Sequence, residues 1–272
     1  MGEARFELTY IWHDGFRLRI PGTGTVIFDF WRDPREESAA EPSWITSLKK
    51  SGERVWILVS HHHKDHFVKK IFGWSEEWPQ VHYVISKDTA RMVRHMLRPD
   101  SLWNGVRVPP SQLTVLSPGE SLSDGALTVN AFGSTDIGNS YVVETPGLKV
   151  FHAGDLNAWI WKDESTRTEV EAETRKFAMI LDAIAERFPR LDVAMMPVDS
   201  RIGTDYFTGA RMLVRAIDVG LFVPMHFGLG DPEEQARHQA DAIRFDLYAN
   251  PTRGTYVALT APGASYLHNP RP

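Results

Sequence analysis

Four histidines and one aspartate stand within six consecutive positions of the segment SHHHKDHF, residues 60–67. Imidazole and carboxylate groups suit zinc, iron or manganese, and ligand type alone does not separate these ions. In a loop, His61 and His63 can point the same way, while Asp65 and His66 reach a neighbouring point. The spacing therefore predicts two adjacent metal positions. A solvated histidine-rich turn, or one that binds adventitious metal, is the alternative.

The histidine motif directly follows VWILV, Val55–Val59, a short apolar run without polar alternation. Such a run is typical of a strand that is covered on both faces. The motif then forms the turn at the C-terminal end of that strand, where α/β sheets usually bind ligands. Its place in the predicted sheet favours a metal site over a solvated turn.

Strand-sized segments make up much of the first half of the chain. Alternating apolar residues in 6–20, on both sides of an HDG turn, predict a hairpin with one buried face. TVIFDF at Thr25–Phe30 and VHYVIS at Val81–Ser86 are further predicted strands. Apolar spacing after the second of them predicts a helix that continues to Leu97. The first half is therefore expected to form one sheet with associated helices.

The same pattern returns after residue 110, where LTVL, LTVNAF, SYVVET and KVFHAGD are separated by turn residues and predict a second sheet. An amphipathic helix is predicted with its apolar face at residues 177–188. Two buried strands, LDVAMMPVD and GLFVPMHFG, flank a helix at Gly209–Val219, and a last helix is capped by Asp231. No linker or repeat divides the chain, so one domain over residues 1–272 is expected.

The composition excludes several kinds of site. The 272 residues include no cysteine, which removes disulfides, thiolate ligands and thiol nucleophiles. A formal net charge of -5 gives no broad basic field for nucleic acid. No apolar stretch approaches the roughly 20 residues of a membrane span, and the start does not resemble a signal peptide. We expect a cytoplasmic protein with a small-molecule substrate and no nucleic-acid or membrane partner; a homo-oligomer is possible.

The motif HHHKDH resembles the His-x-His-x-Asp-His motif of the metallo-β-lactamase superfamily, and other segments match this family in the expected order. Asp29 in VIFDF matches an aspartate that supports the family's site. FHAGDLN supplies Asp155 in the Gly-Asp turn of a bridging aspartate, and FVPMHFG supplies a late histidine, His226. The resemblance covers nearly the whole chain. It implies an α/β (α+β) fold of the four-layer αββα sandwich type.

The resemblance also implies a set of metal ligands. The first metal would be bound by His61 and His63 and the second by Asp65, His66 and His226, and Asp155 would bridge the two. One or two divalent ions are implied: zinc is the family's first choice, and manganese and iron are the alternatives.

The sequence departs from the family at one ligand. The histidine that usually completes the first site would fall in AFGSTDIGNSY, residues 131–141, which contains no histidine. Asp136 is the replacement that we predict, because a carboxylate is an acceptable oxygen donor for zinc or manganese. Alternatively, Asp136 is an ordinary turn residue that bonds its own backbone.

The predicted chemistry is hydrolysis. Two adjacent cations can bind a bridging water and lower its pKa towards about 7, which makes hydroxide available at neutral pH. Asp65 is the catalytic candidate, since it could orient this water or carry a proton to the leaving group. Ester, lactone, amide and phosphodiester substrates all fit. The segments GSTDIG, HAGDLNAWIW and PVDSRIG resemble those of phosphorylated-ascorbate lactonase-like hydrolases and uncharacterised bacterial relatives.

Two residues are candidate substrate contacts. Trp161, with its neighbour Trp159, could line a pocket, although both could equally pack beneath a loop. Arg201 could bind a carboxylate or phosphate, and a structural pair with Asp199 is the alternative. His152 stands three residues before Asp155 and could either support the site or simply pack in its strand. The histidines expected to be structural, because they have no ligand-like neighbours in the sequence, are His13, His82, His95, His238 and His268.

Two other functions compete with a metal-dependent hydrolase. An incomplete first site could leave a non-catalytic metal-binding or small-molecule sensor domain. A ribonuclease-type phosphodiesterase would require a basic strip and an RNA-binding extension, neither of which is visible in the sequence.

Overall fold

The computed structural model describes residues 4–36, 40–97, 108–161, 164–227 and 254–270, and within them the chain forms two seven-stranded sheets. The predicted helix at Asp231 lies outside these residues. In chain order the strands are β1 (Phe6–Trp12), β2 (Gly15–Ile20), β3 (Gly24–Phe28), β4 (Val55–Val59), β5 (Val81–Ser86), β6 (Leu113–Leu116), β7 (Ser121–Ser123), β8 (Thr128–Phe132), β9 (Ser140–Thr145), β10 (Leu148–His152), β11 (Arg190–Pro197), β12 (Asp218–Met225), β13 (Thr255–Tyr256) and β14 (Ser265–His268).

The first sheet has the order β14-β1-β2-β3-β4-β5-β6, and the second has the order β13-β12-β11-β10-β9-β8-β7. Each sheet combines antiparallel and parallel pairs. Strands β3, β4, β5 and β6 run parallel to one another, as do β10, β11, β12 and β13. Parallel neighbours end at the same edge of their sheet, so the segments that follow them in the chain gather there.

The helices lie beside these sheets and are α1 (Ser43–Ser51), α2 (Trp74–Glu77), α3 (Lys87–Met92), α4 (Arg167–Arg187) and α5 (Thr208–Ala216). Helix α4 begins with a capping box, in which the side chains of Thr166 and Glu169 each bond the backbone of the other residue. Its apolar face buries Phe177, Leu181 and Ile184, as predicted.

Successive side chains along the strands of the first sheet alternate between two cores. Trp56 and Leu58 of β4 belong to a core shared with the second sheet, whereas Ile57 packs with Ile45 of α1 in a separate core. The larger core also takes in residues of α4 and α5. The layers are therefore helices, sheet, sheet and helices, which confirms the predicted αββα sandwich of α/β (α+β) class.

Three local predictions differ from the structure. The hairpin has more than one buried face, because Leu8 and Tyr10 pack between the sheets while Ile11 packs in the core beneath α1. Helix α3 ends at Met92, and the turns that follow bury Val93 in that same core. Helix α5 ends at Ala216, before β12 begins. Among the described helices, none is long and apolar enough to cross a membrane.

Candidate metal centre

Turns at one edge of both sheets bring the predicted ligands together. His61, His63, Asp65 and His66 follow β4, and Asp155 and His226 follow β10 and β12 of the other sheet. The two edges are held in contact by the backbone: Asn139 N–H donates to the carbonyl of Ser60 at 3.0 Å. The histidine motif of one sheet therefore faces the aspartate and late histidine of the other.

Asp155 lies at the middle of this cluster, with one carboxylate oxygen toward each side. Its Oδ2 is 3.2 Å from Nε2 of His61 and 4.0 Å from Nδ1 of His63. Its Oδ1 is 3.1 Å from Nε2 of His66 and 3.2 Å from Nε2 of His226. The two oxygens of one carboxylate thus serve two separate groups of imidazoles, which is the arrangement a bridging ligand needs.

The first group contains His61, His63, Asp136 and Asp155, whose ligand atoms all lie within 4.8 Å of one another. Asp136 Oδ2 is 3.6 Å from Nδ1 of His63, and the Asp136 side chain is 43% exposed. The carboxylate predicted to replace the family's histidine therefore lies at the first position, on its solvent side.

The second group surrounds His66 and His226. Either His13 and Asp65, or Asp14 and Asp155, bring their ligand atoms within 4.8 Å of these two imidazoles and of each other. Asp65 Oδ1 is 4.0 Å from Nε2 of His66. Four additional acidic or imidazole side chains thus approach the pair, and the sequence predicted only Asp65 and Asp155 among them.

The spacing of these atoms fits divalent metal ions. Ligand atoms that lie 2.0–2.1 Å from one tetrahedral ion are about 3.3 Å apart. The distances from Asp155 to Nε2 of His61, His66 and His226 are 3.2, 3.1 and 3.2 Å. Three buried atoms nevertheless make no hydrogen bond of acceptable geometry with any described residue: Nε2 of His61, Nε2 of His66 and Oδ1 of Asp155. Atoms so close, yet not directed at one another, are suited to share an ion.

Hydrogen bonds at the far side of the rings fix their orientation. His66 Nδ1 donates to Asp29 Oδ2 at 2.9 Å, which leaves Nε2 as the atom that faces the cluster. Ser60 donates its backbone N–H at 2.7 Å and its hydroxyl at 2.5 Å to Asp29, and its Oγ lies 3.0 Å from Nδ1 of His61. Asp29 therefore supports one imidazole of each position, the usual role of a carboxylate behind a metal-binding histidine.

A second carboxylate supports the late histidine. His226 Nδ1 donates to Asp199 Oδ2 at 2.9 Å, and Arg201 binds both oxygens of the same carboxylate through Nε and Nη2. The structural pair that was the alternative for Arg201 is thus present. Its guanidinium also reaches to 3.4 Å from Nδ1 of His226, and its side chain is 42% exposed. Substrate contact by Arg201 stays a prediction.

Backbone conformation is unusual at this edge. Among the described residues, the only non-glycine residues with positive φ are His13 (56°), Asp29 (38°) and His226 (70°). Non-glycine residues in this region are uncommon and carry a cost of about 1–3 kcal/mol each, and such strain clusters at functional sites. All three belong to the cluster or support it, so the fold holds strained backbone where the ligands are positioned.

Charge is arranged to keep the carboxylates ionised. Burial would raise the pKa of Asp155, but His66 and His226 outweigh it and hold this pKa well below its usual range. Burial likewise opposes ionisation of His226, yet Asp14 and Asp155 raise its pKa to about 10. In the metal-free protein the imidazoles of His66 and His226 therefore carry protons that an ion would displace.

Two buried residues of the β1–β2 turn differ from this pattern. Burial, together with His226, lowers the pKa of His13 to about 3, so its imidazole is neutral. Burial raises the pKa of Asp14 to about 8. Neither was predicted as a site residue, because a lone histidine and an acid in a hairpin turn have no distinguishing spacing. The positive φ of His13, at a turn position where glycine is more usual, is visible only in three dimensions.

The two tryptophans occupy different surroundings. The Trp159 ring lies 5.3 Å from the ring of His226, and its Nε1 donates to the carbonyl of Asp155. Trp161 is 43% exposed. Trp159 therefore lines the cluster directly, while a substrate contact by Trp161 remains a prediction. His152, for which both a supporting role and simple packing were open, stacks on Phe28 with ring centres 4.9 Å apart, and its Nε2 donates to the carbonyl of Asp14.

Comparisons with known proteins agree with this fold. No protein-family model matches the chain. A protein of Rubrobacter xylanophilus described as a UPF0173 metal-dependent hydrolase is 28% identical over 253 residues, which cover 85% of this chain and 88% of the relative. The structure of Igni18, a metallo hydrolase of Ignicoccus hospitalis, superposes with a TM-score of 0.61 at 15% identity, covering 98% and 100% of the two chains. The metallo-β-lactamase fold protein YhfI of Bacillus subtilis gives a TM-score of 0.55 at 10% identity, with 98% and 100% covered.

Proposed function

We propose that the chain is a metal-dependent hydrolase of the metallo-β-lactamase superfamily, and that it hydrolyses an ester, lactone or phosphodiester of a small molecule at a centre for two divalent ions. The observation that carries this proposal is the position of Asp155, whose two oxygens approach different pairs of imidazoles. A single-ion centre would leave one of these pairs without a partner.

The donor sets of both positions consist of imidazoles and carboxylates. The first position offers two imidazoles and two carboxylates, and the second offers imidazoles and carboxylates in excess of four. Nitrogen and oxygen donors without sulfur are compatible with zinc, manganese and iron. We propose zinc as the first ion to test, with manganese and iron as the alternatives.

Bound ions would supply an activated water and polarise the substrate's carbonyl or phosphoryl oxygen. Asp65 is available as the general base or as the group that orients this water. Burial would raise the pKa of Asp65, but the nearby imidazoles of His13 and His66 lower it, so the carboxylate is ionised. Its side chain is 28% exposed, which leaves it accessible from the open side of the centre.

The aromatic ring of Trp159 lies beside His226 of the second position, and the exposed Asp136 lies beside His63 of the first. Trp159 provides a rigid apolar surface for the body of a substrate. Asp136 disfavours the approach of a second negative charge on its side. A small substrate with one polar reacting group and an apolar or neutral remainder suits these surroundings.

Metal content and turnover test this proposal together. Untagged protein should contain two divalent ions per chain by elemental mass spectrometry and should hydrolyse members of a panel of aryl esters, lactones and bis-aryl phosphodiesters. Asp155→Ala should lose both bound metal and turnover, whereas His62→Ala should retain them. Two retained ions and full turnover in Asp155→Ala, measured in metal-controlled buffer, would refute the assignment.

A further inference from the structure

The turn between β1 and β2 delivers a histidine to the second metal position. His13 is fully buried, and its Nε2 lies 3.6 Å from Oδ2 of Asp65. Its ring centre is 4.2 Å from that of His226 and 5.9 Å from that of His66. The ligand atoms of these four residues all lie within 4.8 Å of one another. Among the described residues, the only other candidate metal group with a member from the first hairpin contains Asp14.

The place of His13 is fixed by its backbone. Its N–H donates to the hydroxyl of Tyr10 at 2.7 Å, and its carbonyl accepts the N–H of His226 at 3.3 Å. The second bond joins the hairpin of the first sheet to the end of β12 in the second sheet. Trp31 packs edge-on against the imidazole at 5.7 Å. The ring is thus held between Trp31 and the late histidine.

A left-handed backbone makes this orientation possible. At φ 56°, His13 adopts a conformation that glycine or asparagine would take more easily. A histidine kept there, at a cost of about 1–3 kcal/mol, is held by its surroundings. A contact with an ion shared by Asp65, His66 and His226 would add to the backbone bonds that hold it.

We propose that His13 is a ligand of the second metal position, together with Asp65, His66, Asp155 and His226. This inference rests on the proposed function, because it requires that an ion binds there. The position would then have three nitrogen and two oxygen donors before any water is added. Five protein donors exceed the four of a tetrahedral structural zinc site and favour an ion that accepts five or six ligands, such as manganese or iron.

The competing explanation is that His13 only hydrogen-bonds Asp65 and orients it. The separation of 3.6 Å between Nε2 and Oδ2 is too long for a good hydrogen bond but is an ordinary spacing between two ligands of one ion. The two roles also predict losses of metal affinity of different size. Residues that only support a ligand cost 10–100-fold in metal affinity when they are replaced.

A crystal structure of the metal-loaded, full-length protein tests the proposal directly. We expect anomalous density at about 2.0–2.2 Å from Nε2 of His13, within bonding distance also of His66 and His226. An ion bonded to His66 and His226 but more than about 3 Å from His13 would overturn the proposal and leave the proposed function intact. Failure of any ion to bind at this position would overturn both.

Metal affinity in solution provides a second test that does not depend on turnover. Competition with a chromophoric chelator measures the affinity for each of the two bound ions. For one of them, His13→Ala should bind more than about 100-fold more weakly, a larger loss than replacement of a merely supporting residue causes. His62→Ala, which changes a histidine of the motif outside the metal groups, should bind both equivalents as the native protein does. A smaller loss in a His13→Ala protein with native circular dichroism would assign His13 a positioning role and overturn the proposal.

Discussion

Asp29 accepts a hydrogen bond of 2.9 Å from Nδ1 of His66, and this contact determines which nitrogen of the ring faces the metal centre. Through Ser60 the same carboxylate also reaches His61 on the other side of Asp155. Asp29 is therefore coupled to both positions although it is not placed to bind either ion.

Replacing Asp29 by alanine should weaken both positions together. We expect a loss of about 10–100-fold in affinity for each of the two equivalents, because His66 and His61 lose the groups that orient them. Chelator competition measures this. Asp33→Ala is the matched control, since Asp33 lies four residues further on and pairs with Arg35. Unchanged affinity in Asp29→Ala would show that the rings are oriented by other contacts.

Asp136→Ala should reduce metal content from two ions to one, because the first position keeps only His61, His63 and the shared Asp155. Asp136→His restores a third unshared donor and should return the content to two. Elemental mass spectrometry on the three proteins distinguishes these cases. Two ions in Asp136→Ala would assign Asp136 to the turn rather than to the metal.

Arg201→Ala should act through Asp199 and His226. Removing the guanidinium leaves the Asp199 carboxylate without its two-point partner, so the support of His226 weakens. We expect roughly tenfold weaker binding of the second ion and an unchanged KM for substrate. The reverse result, a raised KM with native metal affinity, would identify Arg201 as the substrate contact that the sequence suggested.

Metal binding should strengthen as pH rises from 6.5 to 10. The pKa of His226 is raised to about 10 without metal, so the stability that its proton contributes is complete below 6.5 and is lost as pH rises towards 10. His66 shifts in the same direction. An ion must displace these protons, and titration at pH 7 should release about two protons per chain at the second position. The melting-temperature difference between loaded and chelated protein should therefore grow with pH. A constant difference would contradict protonation of both rings.

Gly138→Ala should destabilise the protein by about 1–3 kcal/mol more than Gly125→Ala. Both glycines have φ above 80°, so both variants carry the same backbone penalty. A Cβ at Gly138 would lie 2.1 Å from the carbonyl oxygen of Ser60, whereas Gly125 has open space around it. Urea unfolding of the two variants measures the difference, and equal free energies of unfolding would mean that the two sheet edges can separate at little cost.

The sequence predicted the architecture well because apolar runs without alternation identify strands that are buried on both faces. Strand β4 shows this, with Trp56 and Ile57 in different cores. Element ends were less predictable: α3 ends at Met92 although apolar spacing continues to Leu97, and Val93 is buried in the turns that follow. Such endings depend on tertiary packing, which local spacing does not record.

The centre was predictable where ligands are close in sequence or follow a family motif. The cluster at residues 61–66 is recognisable by its spacing alone. His13 and Asp199 are not, because each is a single polar residue in a turn and becomes significant only when β12 lies beside the first hairpin. The sequence also did not show which of Trp159 and Trp161 lies at the centre. Only the structure shows that Trp159 packs on His226 and that Trp161 is exposed.

The groups of the centre are widely separated along the chain. They begin at His13 in the first hairpin and are completed by His226 after β12. On a ribosome, the nascent polypeptide cannot assemble both positions until His226 has left the exit tunnel. If ions bind at both proposed positions, their insertion would be a late step that follows docking of the two sheets. The ions gained would then depend on what the cell supplies at that moment as well as on intrinsic affinity.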